Sequence, residues 1–231
     1  MAEKDVTEIS GDLRRIYNKA NEASQRENFD YAIALFNQVL DKEPTFFECR
    51  KALREAQFKK AGDSGGFLKK MWGSASSSPQ VAKAKMAMSK NPAEALAIAE
   101  QILNGDPNSS GAHRIIVEAA QALDLPRTGI LSLETLLKNS PKDKNLAIEF
   151  AEALAAGGGN SSLGEQILSD LLRSRPGDIE LSKALKNLSA RKTMDKGGYS
   201  SLEGGKGSYR DILKNKQEAI SLEQEKRDGL L

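Results

Sequence analysis

Four stretches of this chain repeat one phrase: a small residue, an apolar or small residue four positions on, an apolar pair three further, and a proline four beyond the pair. The copies are Ala32, Phe36, Val39, Leu40 and Pro44; Ala95, Ala99, Ile102, Leu103 and Pro107; Gly129, Leu133, Leu136, Leu137 and Pro141; and Gly164, Leu168, Leu171, Leu172 and Pro176. Steps of three and four put the apolar members on one stripe of an α-helix. Proline, with no N–H and a fixed φ, stops that helix from continuing. Each phrase therefore marks the second helix of a repeated unit. Pro107, Pro141 and Pro176 lie 34 and 35 residues apart, which is the period of stacked helix–turn–helix repeats. A hairpin of that size cannot hide its apolar stripe alone, so the units must lean on one another.

The stripe of each second helix needs a first helix to cover it, and the sequence supplies one before each phrase. The third unit predicts a helix over 111–123, with Ile116, Ala119, Ala120 and Leu123 facing inward. The fourth predicts one over 145–156, with Leu146, Phe150, Ala153 and Leu154 inward. Breakers separate the paired helices: Asp124, Leu125 and Pro126 in one unit, a run of three glycines and Asn160 in the other. The first unit reads as helices over 13–25 and 30–41, followed by a helix over 46–60 with no obvious partner. Helices over 81–89 and 92–104 form the second phrase's unit; Asn91 caps the latter and Pro92 takes its first position. Pro44 and Pro107 are 63 residues apart, five short of two full repeats, so the array is interrupted between them.

A helix over 179–191 closes the array. Its Leu181, Leu185 and Leu188 pack inward, while Lys183, Lys186 and Asn187 keep its outer side polar, the character of a capping helix. Residues 61–78 read as a linker carrying a short amphipathic piece, whose Phe67, Met71 and Trp72 either dock on a membrane or a partner or, in the simpler reading, cover the open end of a neighbouring hairpin. Residues 193–207 are glycine-rich, and residues 208–231 predict a polar helix whose apolar positions, Ile212, Leu213, Ile220 and Leu222, are too sparse for a core. The division expected is thus a flexible start (1–10), an N-terminal hairpin with its following helix (11–60), a linker (61–78), the array (79–192), a second linker (193–207) and the tail helix (208–231).

Charge is balanced, with 34 basic residues against 32 acidic ones, and no basic block stands out. Binding to nucleic acid is not expected from such a surface. No stretch approaches a membrane span, and the first residues lack the features of a secretory leader, so a cytoplasmic chain without an integral membrane segment is the expectation. The single cysteine, Cys49, reads as a small core residue, and the single histidine, His113, as a structural one. Neither supplies a nucleophile–base pair or a metal-ligand set. The run from Glu203 to Ser208 lacks both the leading glycine and the hydroxyl after lysine that a phosphate-binding loop needs. Carboxylates are scattered over polar helix faces, where solvated ion pairs are the ordinary reading. No catalytic residue, cofactor or metal is expected.

The phrase and its period resemble the tetratricopeptide repeat family, over residues 13–60 and 79–192. The usual tryptophan and tyrosine of the first helix are missing, and His113 stands where an aromatic residue is common. The resemblance implies an all-α, right-handed superhelical solenoid that binds a partner protein or peptide in a concave groove. In that family the groove is lined by first-helix positions facing away from the paired helix. Here these are Arg14, Tyr17, Asn21 and Ser24; Arg114, Glu118 and Gln121; and Asn145, Ile148 and Glu152. Some members hold a peptide's terminal carboxylate, and of that set only Asn21 matches. Tyr17, Ala52, Gly111 and Ile115 stand in the other places, so that class of peptide is not expected. The alternative to a groove-binding scaffold is a structural or assembly segment that self-associates or links domains through residues 208–231.

Overall fold

The computed structural model of the chain describes residues 2–63, 79–157 and 160–196. Ten α-helices follow one another within them: α1 (Gly11–Gln25), α2 (Phe29–Lys42), α3 (Phe47–Asp63), α4 (Pro79–Met88), α5 (Pro92–Gly105), α6 (Ser110–Leu123), α7 (Pro126–Asn139), α8 (Lys144–Ala156), α9 (Ser161–Ser174) and α10 (Ile179–Lys196). No strand occurs among the described residues, and the one β-bridge there joins Lys4 to Phe46. The expectations for residues 64–78 and 197–231, the amphipathic piece and the tail helix included, fall outside the described residues, as do Gly158 and Gly159.

Each phrase forms a second helix, and its apolar members form the core. Ala32, Phe36 and Val39 of α2 are wholly enclosed, as are Ala95, Ala99 and Leu103 of α5, while Leu133 and Leu136 of α7 and Leu168 of α9 are buried. Consecutive helices pack on each other from α1 to α3 and from α4 to α10. First helices of successive units also meet, α4 with α6 and α8 with α10. Small residues permit the close approaches. A Cβ added to Gly164 of α9 would come within 3.0 Å of the Ala151 Cβ on α8.

Helix ends follow the local signals. Ser10, Asn28, Asn91, Ser109, Asp143 and Asn160 each accept a hydrogen bond from a backbone N–H in the first turn of the helix they precede. Asp124 closes α6 in the left-handed region, φ 57°, a conformation that Asp adopts more readily than most residues. Two helices outrun their expected limits. Gly62 does not end α3, because one glycine costs only about 1 kcal/mol, and the helix runs on to Asp63. Helix α10 continues past 191 to Lys196, since Arg191 to Lys196 contains no breaker and the first glycine is Gly197.

The N-terminal unit is joined to the array sideways. Helix α3 packs on α2 and touches α1, then reaches α5 and α7, the second helices of two later units. Residues 2–10, expected as a flexible start, make defined contacts instead. The Lys4 N–H donates to the Thr45 carbonyl at 3.0 Å, the Phe47 N–H to the Lys4 carbonyl at 3.3 Å, and Ile9 is buried in the α1–α3 core.

Candidate functional site

The candidate residues of α6 and α8 share one side of the array. Glu118 and Gln121 are exposed on α6, as are Asn145 and Glu152 on α8. Arg114 ties the two helices together: its Nη1 donates to Oε2 of Glu149 at 2.6 Å, with both side chains 40% exposed. Ile148 is half-buried and packs against the core formed by α8, α9 and α10. Beyond it an open cleft of about 610 Å³ runs between α8 and α10, bordered by Glu152, Ala156, Ala184, Asn187 and Arg191, with the buried Leu168 and Leu188 also lining it. Small side chains keep this cleft open, and a carboxylate and a guanidinium mark its borders.

The candidates of α1 stand apart from that side. Arg14 is engaged with its own chain, donating from Nε to the Val6 carbonyl at 3.0 Å and from Nη2 to the carbonyls of Thr7 at 3.2 Å and Ile9 at 3.3 Å. Tyr17, read from the sequence as facing a groove, turns inward, its ring 4.9 Å from that of Phe46 and 6.0 Å from that of Phe36. Asn21 and Ser24 are half-buried on the same helix, which packs on α2 and α3. The reason is the sideways docking: α1 belongs to a unit that does not extend the run of first helices.

That docking builds the most strongly charged enclosed place in the described structure. Arg50, Arg54 and Gln57 lie at i, i+4 and i+7 on α3, a polar stripe beside the apolar stripe of Phe46, Cys49, Leu53 and Ala56. Glu100 of α5 receives both arginines. Arg50 Nε is 3.1 Å from its Oε1 and Arg54 Nη2 is 2.9 Å from its Oε2. Arg50 also donates to the Thr128 hydroxyl on α7 at 3.0 Å and to the Pro44 carbonyl at 2.7 Å. Gln57 donates to Asn104 at 2.7 Å. Glu100 is 5% exposed, so the reading of the carboxylates as solvated is corrected here. The desolvation of these ions largely offsets their attraction, and their chief effect is to fix how α3 sits on α5 and α7.

A second part of this junction lies at the start of α7. Leu125, which precedes that helix, has no side chain able to cap it. Glu3 does so from far along the chain, accepting from the backbone N–H of Arg127 and of Thr128, each at 2.8 Å, and from the Thr128 hydroxyl at 2.7 Å. Arg127 in turn pairs with Asp5 at 2.8 Å and Glu48 at 3.0 Å and covers the Phe47 ring at 4.0 Å. The sequence carried one signal of this, a proline-started helix without a local Ser, Asn or Asp cap.

His113 and Cys49 are both enclosed. The imidazole lies 2.9 Å from the Pro107 carbonyl through Nε2. Because a carbonyl only accepts, Nε2 carries the proton. Burial, with the nearby Arg54 charge second, pulls the His113 pKa down to about 4, so the ring is neutral near pH 7. Burial pushes the Cys49 thiol well above its ordinary range, and its Sγ donates to the Phe36 carbonyl at 3.5 Å. No cluster of three or more His, Cys, Asp or Glu side chains suited to a metal occurs among the described residues. None of the described helices is long and apolar enough to cross a membrane. No protein-family model matches this chain, and neither a curated protein nor a solved structure similar to it was found.

Proposed function

We propose that this chain is a non-enzymatic scaffold that binds a peptide or helix of a partner protein along the first-helix side of its array. The observation that carries this reading is the cleft between α8 and α10, with Glu152 at its border and the exposed Glu118, Gln121 and Asn145 on the same run of helices. A surface of exposed polar groups around a small-residue trough suits an extended or helical segment, which can bury apolar side chains in the trough and pair its charges outside it. In this reading the array is a right-handed superhelix of tetratricopeptide type, α10 closes its described part, and the binding side is concave. The balanced charge supports a protein partner over nucleic acid, and the site of action is the cytoplasm.

The test is affinity capture with the full chain, comparing wild type with Glu118→Arg combined with Glu152→Arg, and with Lys138→Glu on the second-helix side as control. A partner lost with the paired change and kept with the control supports the reading, with a loss in affinity of at least tenfold expected for reversal of two contacting charges. A partner recovered equally with all three chains overturns it. Calorimetry with the captured segment then replaces recovery as the measure.

A further inference from the structure

The array shows by its own repetition what covers a groove between a second helix and the first helix that follows. The groove between α7 and α8 is filled by α9: Ile167 packs on the cluster of Leu133, Leu136, Leu146 and Phe150, and Gly164 presses on Ala151. The corresponding groove between α9 and α10 is open, about 870 Å³, and is lined by Leu172, Arg173, Ile179, Ser182, Lys183 and Lys186 among others. No described helix follows α10 to fill it, and Ile179 is 81% exposed.

A shift of 35 residues aligns the two grooves and shows how they differ. Ser182 and Lys186 stand where Ala147 and Ala151 lie fully enclosed beneath α9. A glycine-faced helix like α9 would bury the Lys186 ammonium without a counter-charge, at a high cost. The helix that fits must offer apolar residues for Leu172 and Ile179 and carboxylates for Arg173, Lys183 and Lys186.

We propose that the occupant is residues 208–226 of the same chain, docked along the α9–α10 groove as the second helix of a final hairpin. It carries Ile212, Leu213, Ile220 and Leu222 together with Asp211, Glu218, Glu223 and Glu225. The acids at 218, 223 and 225 concentrate in its later half, which an antiparallel course brings back to the start of α10, where the groove and its cations lie. Connection is no obstacle. The eleven residues 197–207 span up to about 36–40 Å when extended, against about 27 Å for the 18 residues of α10. This placement concerns the end of the stack and does not rest on the reading of the α6–α8 side.

Amide hydrogen exchange of the full chain at low concentration, with sedimentation alongside, tests it. Residues 212–224 are expected to exchange at least about tenfold more slowly than the same segment as a free peptide. Lys186→Glu and Ile220→Asp, both at positions outside the array's core, should each bring that rate to the peptide's value while leaving the amides of α6 to α9 protected. Exchange of the wild-type tail at the free-peptide rate overturns the proposal, and so does protection that survives Lys186→Glu. Protection that disappears on dilution as a dimer dissociates also overturns it, and assigns the groove to a second copy.

Discussion

His113 and Glu100 are both buried polar side chains, and each has its own expected effect on stability. The His113 pKa of about 4 lies below the ordinary 6.5, so between these values the unfolded chain binds a proton that the folded one does not. Stability is therefore full above about pH 6.5 and falls as the pH drops towards 4, by roughly 3 kcal/mol from this one group. Urea unfolding across that window should show this slope, and a His113→Leu chain should show a shallower one; equal slopes would mean that the ring titrates normally. Among the described residues, Glu100 is the anion that pairs with both Arg50 and Arg54. Its replacement by alanine leaves two buried guanidinium groups facing each other, with an expected loss of about 3–5 kcal/mol in the same assay. A loss below about 1 kcal/mol would show that water reaches the site. The structural reading of His113 rested on its helix position and on the lack of a second histidine, and its enclosure is what the structure adds. The role of Glu100 was not legible, because a glutamate on a helix looks the same in sequence whether water or an arginine pair faces it.

At the scale of elements, the glycines that begin the last two phrases separate two kinds of helix contact. An added Cβ at Gly164 would meet the Ala151 Cβ at 3.0 Å and its backbone Cα at 3.1 Å, whereas at Gly129 it would meet only the Ala120 Cβ at 3.6 Å. Gly164→Ala should therefore push α9 off α8 and cost about 1–3 kcal/mol. Gly129→Ala should be neutral or gain up to about 1 kcal/mol through the lower entropy of the unfolded chain. Thermal melts of the two variants check the contrast, and equal shifts would refute the assigned packing. The start of α7 offers a further check. Glu3→Ala removes the acceptor of two backbone N–H groups and should cost about 0.5–2 kcal/mol, as the loss of a local cap does. The phrase made second helices readable, since a period of three and four with a closing proline states both face and end. Which glycine is pressed against a neighbour is set by the crossing of two helices and leaves no mark in either.

For the whole molecule the main consequence is that the N-terminal unit leans on second helices of the array through buried polar groups and through the Glu3, Asp5 and Arg127 contacts. Buried pairs are screened little by salt. A chain cut at a protease site introduced within residues 64–78 should thus keep its two parts together on size exclusion at high salt, and the same cut in Glu100→Ala should release them. Separation of the wild-type parts would show that the connection, not the junction, holds them. Sequence spacing registered the interruption between Pro44 and Pro107 and left the helix after Pro44 without a partner. Its main partner proved to be α2, and its buried polar stripe meets α5 and α7, a second contact that the order of the chain does not reveal.

Local order in this chain was written in the sequence: where most helices start and stop, which stripe of each second helix faces inward, and the repeat of about 34 residues. These depend on neighbours three or four positions apart, on caps and on prolines, all of which act over a single turn. Tertiary structure alone decided that Tyr17 faces a core, that Arg50, Arg54 and Glu100 are enclosed, and that Glu3 caps a helix 124 residues away. Those outcomes depend on how one packed unit meets another. Charged and polar side chains are compatible with water or with each other until that meeting takes place.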